Sequence, residues 1–195
     1  MSSMKNLDLV GLLQEHGAIM GGHFQLPSGF HSQSYVQTSI LLQYPHIANK
    51  IAKAIAEKFP AQVDVVLAPS NGSIALAQEL ARVKKARSIF VERVNGVMIL
   101  KHSFALKEGE RVLIADDVIT TGKLTGEAVS LVQRYGAAVV GIAGIVDRSS
   151  DPLPVNVPVR TLITYPLQFY PPEKCPFCAQ KVPLTLPGSP LKPIE

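Results

Sequence analysis

A chain of 195 residues, 47% hydrophobic and 17% charged, has material for one packed domain and lacks the composition of a disordered protein. Its formal charge of +4 mildly favours anionic ligands, but the basic residues are scattered without a run, which argues against a dedicated nucleic-acid binder. No apolar stretch approaches the roughly 20 residues that span a bilayer, and the opening MSSMKNLDLVGLLQEHG shows helical periodicity where a signal peptide would have an apolar block. A cytoplasmic protein without membrane partners is expected.

In chain order, the first strong element is PHIANKIAKAIAEKF. Pro45 suits a first helical turn, and Ile47, Ile51, Ile55 and Phe59 recur on one face. VDVVLA (63–68) is short, apolar and β-branched, as in a strand buried on both faces. A helix is expected over 73–85 and a strand over 87–92. The segment 92–110, ERVNGVMILKHSFALKEGE, stands where a crossover helix would be expected, yet Asn95-Gly96 and its alternation fit a β-hairpin excursion, of the kind that serves as a lid. Strands follow over 111–115, 138–147 and 159–164, with a helix over 126–136 ending at Gly136. Apolar strands alternating with amphipathic helices specify an α/β fold with a parallel sheet and right-handed crossovers. Ligands then sit beyond the carboxyl ends of the strands, at 68–73, 115–126 and 146–151.

Four of the 15 prolines precede residue 150 and eleven follow it, so a regular body gives way to an irregular tail, expected to lie extended over the body after residue 164. The only cysteines, Cys175 and Cys178, stand in KCPFCAQK. One CxxC is half of a tetrahedral zinc site and no further cysteine completes it. The plain reading is a reduced structural turn; a zinc shared across a dimer and a reversible disulfide stand as alternatives.

Asp116 and Asp117 end a continuously apolar strand. Two like charges there raise each other's cost of ionisation unless a partner compensates, as sugar hydroxyls or a hydrated Mg²⁺ would. A turn with Asp117 capping the next helix is the simpler alternative. The adjoining ITTGK offers amides, hydroxyls and a helix N-terminus for an anion. Together they suggest a ribose 5-phosphate unit. Neither GxxxxGK[ST] nor a GxGxxG after a strand occurs, which excludes the P-loop and the dinucleotide fingerprint.

VLIADDVITTGK resembles the phosphoribosyl-pyrophosphate signature of type I phosphoribosyltransferases. GAIMGGHFQLPSGFHSQSYVQTSILLQYP, IFVERVNGVMILKHSFALKEGE and GIVDRS extend the resemblance over residues 7–182, nearest to orotate phosphoribosyltransferases of the short bacterial and archaeal form. The resemblance implies the type I fold in a single domain: a core over about 45–165, a hood from about 1–44 and 166–186, and a disordered tail, 187–195. It implies transfer of ribose 5-phosphate from phosphoribosyl pyrophosphate to orotate with Mg²⁺, held mainly through substrate oxygens and water with no direct protein ligand, in a homodimer whose lids close over each other's sites. Asp116 and Asp117 would bind the ribose hydroxyls, and Val118, Ile119, Thr120, Thr121, Gly122, Lys123 and Leu124 would cradle the 5′-phosphate. Thr120 and Arg148 would contact orotate, with a surface salt bridge as the alternative for Arg148. Ser70, Asn71 and Gly72 would hold the departing pyrophosphate, and the lid would supply Arg93, the catalytic Lys101 and His102.

Several positions depart from the family pattern. Pro27 and Val97 stand where basic residues are usual, Ser73 follows Gly72 in the pyrophosphate loop, Lys123 and Leu124 replace small residues, and His102 replaces Arg or Lys. These thin the positive charge around the leaving group and the acceptor. They leave open transfer to another base, or nucleotide binding with weakened catalysis.

Overall fold

The computed structural model describes residues 8–26, 28–166 and 168–187. The departure at Pro27 and most of the expected tail, 188–195, lie outside the described residues. The first described element is α1 (Leu9–Glu15), capped by the Asp8 carboxylate, which accepts from the Gly11 amide at 2.9 Å. β1 (Ile19–Gln25), β2 (His31–Val36) and the short α2 (Ser39–Leu42) follow. α3 (Pro45–Lys58) has Pro45 in its first turn and buries Ile47, Ile51 and Ile55, the predicted face. Then come β3 (Val65–Ala68), α4 (Ile74–Lys84), β4 (Arg87–Val94), β5 (Val97–Leu100), β6 (Arg111–Ile119), α5 (Lys123–Arg134), β7 (Ala138–Asp147), β8 (Val159–Thr164), β9 (Phe169–Tyr170) and α6 (Pro176–Ala179).

The main sheet runs β5-β4-β3-β6-β7-β8, with all neighbours parallel except β4 and β5. Successive residues of β6 feed opposite faces. Leu113 and Ala115 pack with α3 and α4 residues in one core, and Val112 and Ile114 with α5 residues in the other. A strand buried on both faces has no polar alternation, which is why these segments are continuously apolar. The expected excursion is a β4–β5 hairpin in which Val94 opposes Val97. Asn95 and Gly96 take φ of 51° and 80°, the two left-handed residues a tight two-residue hairpin needs.

Two expectations are corrected. β6 does not stop at Ala115: its ladder to β7 continues through Asp116↔Gly144, Val118↔Val146 and Ile119↔Asp147, so the acidic pair lies inside the strand. The tail is more structured than proline content suggests. β9 pairs with β2 in a small sheet ordered β1-β2-β9, and Phe24 bridges Thr185. Among the described residues no helix is long and apolar enough to cross a membrane.

Candidate active site

β3 and β6 are neighbours whose onward connections run to opposite edges of the sheet, so their carboxyl ends form its switch point, where ligands of open α/β sheets bind. There Gly72, after β3, stands against Asp117: a Cβ added to Gly72 would lie 3.5 Å from both carboxylate oxygens. Ser73 is buried and its hydroxyl bonds the Ser70 hydroxyl at 2.7 Å and the Ser70 carbonyl at 3.0 Å, bracing the turn.

The pleat sends the adjacent carboxylates opposite ways. Asp116, 4% exposed, borders a cavity of ≈280 Å³ beside residues 118–125; Asp117 borders a larger one of ≈920 Å³ and accepts from the Thr38 hydroxyl. Neither carboxylate is committed to capping α5, whose N-cap is Gly122. Burial, reinforced by Asp117, pushes the Asp116 carboxyl up to about 8. An acid whose folded pKa is raised withdraws stability as pH rises from its ordinary value, 3.8, to about 8, because only the unfolded state ionises in that window. Asp64, Glu92 and Glu110 are shifted the other way, so what they contribute is lost only on acidification. The ligand-free protein should therefore lose several degrees of thermal stability between pH 5 and pH 8, and Asp116→Asn should flatten that slope; scanning calorimetry of both across that range is the check.

Thr120 to Leu124 wrap the smaller cavity. The amides of Thr121, Gly122 and Leu124 have no backbone acceptor among the described residues, leaving donors for an anion at the start of α5. Gly122 has φ 73°, and a Cβ there would come within 2.8 Å of the Leu153 side chain. Gly122→Ala should cost about 1–2 kcal/mol of stability and weaken anion binding together, measurable by denaturant titration and calorimetry with phosphate.

Arg148, just after β7, is 8% exposed and lines the larger cavity with Tyr35, Thr38, Phe30 and Phe169. It is not the surface salt bridge of the simpler reading. Its Nε has no partner, and no carboxylate pairs with it among the described residues. Burial lowers its pKa to about 10, offset only partly by Tyr35 and Tyr165, so it stays charged at neutral pH. A buried, unpaired guanidinium on a cavity wall is a costly arrangement that an anionic ligand would complete.

The residues expected of a lid are less converged. Arg93 lines the smaller cavity, where it pairs with Glu127 and donates to the Gly96 carbonyl at 2.7 Å. Lys101 lines neither cavity; Glu92 holds its ammonium at 2.8 Å and also pairs with His102. Val97 is 54% exposed at the hairpin tip. Ser70 and Asn71 precede Gly72, which alone of the three lines the larger cavity. Sequence reasoning missed Tyr35, Thr38, Phe30 and Phe169, which no local signal marks. It also missed that Cys175 and Cys178 lie against His23 and His31 of the same chain.

Fold and site together define an α/β protein built to hold a hydroxylated, anionic ligand at a sheet switch point, beside a second cavity with a buried cation. The chain belongs to the phosphoribosyl transferase domain family, whose pattern its residues 37–170 match. It is 42% identical over 181 residues to an orotate phosphoribosyltransferase of Caldicellulosiruptor saccharolyticus, covering 92% of this chain and 95% of that one. To the orotate phosphoribosyltransferase of Thermotoga maritima it is 41% identical over 179 residues, covering 91% and 96%. Among solved structures, orotate phosphoribosyltransferase from Aeropyrum pernix shares the fold with TM-score 0.68 and 24% identity over 80% of this chain and 93% of that one. Adenine phosphoribosyltransferase from Rhodothermus marinus aligns with TM-score 0.63 and 26% identity over 81% of this chain and 100% of that one.

Proposed function

We propose that the protein transfers ribose 5-phosphate from phosphoribosyl pyrophosphate to the ring nitrogen of orotate, releasing pyrophosphate and orotidine 5′-monophosphate. The observation that carries the reading is Arg148, a buried guanidinium without a counter-ion among the described residues, on the wall of the cavity that Asp117 borders. An acidic base satisfies it; adenine carries no anionic group to do so. Near-full-length identity of 42% to a protein named for orotate supports the same acceptor.

The 5′-phosphate lies in the cradle of Thr120 to Leu124 and the ribose hydroxyls meet Asp116 and Asp117. As the C1–O bond to pyrophosphate lengthens, positive charge develops on the sugar, and the Asp117 carboxylate faces it through those hydroxyls. The pyrophosphate leaves against Ser70, Asn71 and Gly72, while orotate, held by Arg148 and Thr120, presents its nitrogen to C1. Hard carboxylate oxygens beside the Gly72 turn fit Mg²⁺, which Asp117 would help hold and which would neutralise the leaving pyrophosphate. Phe30 and Phe169, 5.7 Å apart edge to face, close one side of the acceptor cavity. We read the β4–β5 hairpin as a lid over the site of a second copy in a cytoplasmic homodimer, where Arg93 and Lys101 would exchange their carboxylate partners for phosphate oxygens. The lid excludes water that would hydrolyse the donor.

Mixing the protein with phosphoribosyl pyrophosphate, Mg²⁺ and orotate should deplete the orotate absorbance, with no comparable consumption of adenine or xanthine. Donor binding by calorimetry without turnover on any base would instead favour a weakened nucleotide-binding protein, a reading that the exposed apolar Val97 keeps in view. If the lid reaches an active site, Val97→Lys should raise kcat by about tenfold or more. An unchanged rate would mean that residue 97 stands away from the leaving group.

A further inference from the structure

Where α6 meets β1 and β2, four metal-ligating side chains converge on one point, and none of them lines either cavity. Nε2 of His23 lies 3.0 Å from Nδ1 of His31, 3.4 Å from Sγ of Cys175 and 3.7 Å from Sγ of Cys178. Sγ of Cys178 is 3.2 Å from Nδ1 of His31, and all four atoms lie within 4.8 Å of one another. Metal–nitrogen bonds near 2.0 Å and metal–sulfur bonds near 2.3 Å give tetrahedral edges of about 3.3–3.8 Å, the scale of these separations.

The surroundings also fit. His23 Nδ1 is 2.8 Å from the Val182 carbonyl, which can only accept, so Nδ1 carries the proton and Nε2 presents a lone pair to the cluster. That backbone tether is the usual outer support of a metal-bound histidine. Without an ion, one lone pair faces three groups at once. A bulge in the β1–β2 ladder between Gly21 and Phe24 turns His23 towards the cluster. Cys175, only 3% exposed, caps α6, so the helical CPFC turn presents both sulfurs on one side.

We propose that His23, His31, Cys175 and Cys178 of a single chain bind one Zn²⁺ in a closed tetrahedral site. Two thiolates and two imidazoles, on three buried residues and the exposed Cys178, suit zinc, and a set with no open position is structural. The ion joins Cys175 to His23, 152 residues earlier, reinforcing the two-position pairing of β9 with β2 and the bridge of Phe24 to Thr185. One of those pairs is Ser32↔Phe169, and Phe30 precedes the ligand His31, so the ion fixes the two rings that close the acceptor cavity. This last consequence rests on the proposed function; metal binding does not.

The test uses the full chain, purified without an affinity tag and dialysed. Elemental analysis should find one zinc per chain. After removal by chelator under reducing conditions, Co²⁺ should bind one per chain, with thiolate charge-transfer and intense tetrahedral visible bands. Cys178→Ser should roughly halve the charge-transfer intensity, and His23→Ala or His31→Ala should weaken Co²⁺ binding by about 10-fold or more. Metal-free protein as purified, together with a Co²⁺ spectrum like that of the free hydrated ion, would overturn the site, as would histidine variants that bind as the parent does. In turnover, zinc removal should raise the KM for orotate several-fold and leave that for phosphoribosyl pyrophosphate in place. Equal change in both would refute the positioning role, while an inactive protein with full zinc content would count against the proposed function and not the site.

Discussion

Arg148→Met should cut kcat/KM for orotate by about 10- to 100-fold, the loss of one or two charge-assisted hydrogen bonds, while the ligand-free protein becomes no less stable. The two halves of this result follow from one fact. The guanidinium is buried, its Nε is unpartnered, and burial lowers its pKa to about 10, so it contributes nothing to the empty fold that a methionine of similar length would not. A structural arginine would behave in the opposite way, with stability lost when its partner was left behind. Steady-state kinetics with each substrate varied, set beside denaturant titration, separates the two. Loss of stability without a selective rise in the KM for orotate would remove Arg148 from the acceptor site.

Asp117→Asn should lower kcat by about 10²–10³ with the fold intact. The carboxylate is half-buried between the Thr38 hydroxyl and the Gly72 turn, so an amide of the same shape fits there and can still accept from Thr38. What it loses is negative charge opposite a sugar carbon that becomes cationic as pyrophosphate departs. The effect should fall on kcat more than on either KM, because the charge it answers develops only in the transition state. A loss confined to the KM for the donor would assign Asp117 to ground-state binding alone. Asp116, raised to about 8, should behave differently: Asp116→Asn alters the pH dependence of stability as well as the rate.

The parallel body was legible because hydrophobic pattern and backbone pairing agree there: α3, β7 and β8 run where the periodicity places them. The pattern misjudged β6. Apolar character stops at Ala115, yet pairing to β7 carries the strand four residues further. α5 opens at Lys123, three residues before the sequence pattern places it, because the left-handed turn at Gly122 starts the helix there. The acidic pair and the phosphate loop are contiguous in sequence and were read as a unit. The acceptor cavity draws on β2, the residues after β7 and β9, and so has no local signature. Distance in sequence likewise hid the partners of Cys175 and Cys178. His23 and His31 sit in an ordinary polar hairpin, and the pairing of β9 with β2 and the bridge of Phe24 to Thr185 bring the CPFC turn to them.

In the proposed reaction, donor and acceptor meet across Asp116–Asp117 and Arg148 to make a nucleotide. The most direct test is to separate the products after incubation with phosphoribosyl pyrophosphate, orotate and Mg²⁺. Equimolar orotidine 5′-monophosphate and pyrophosphate are expected, with negligible free ribose 5-phosphate. Pyrophosphate accompanied by ribose 5-phosphate and unchanged orotate, or a donor left unconsumed, would contradict it.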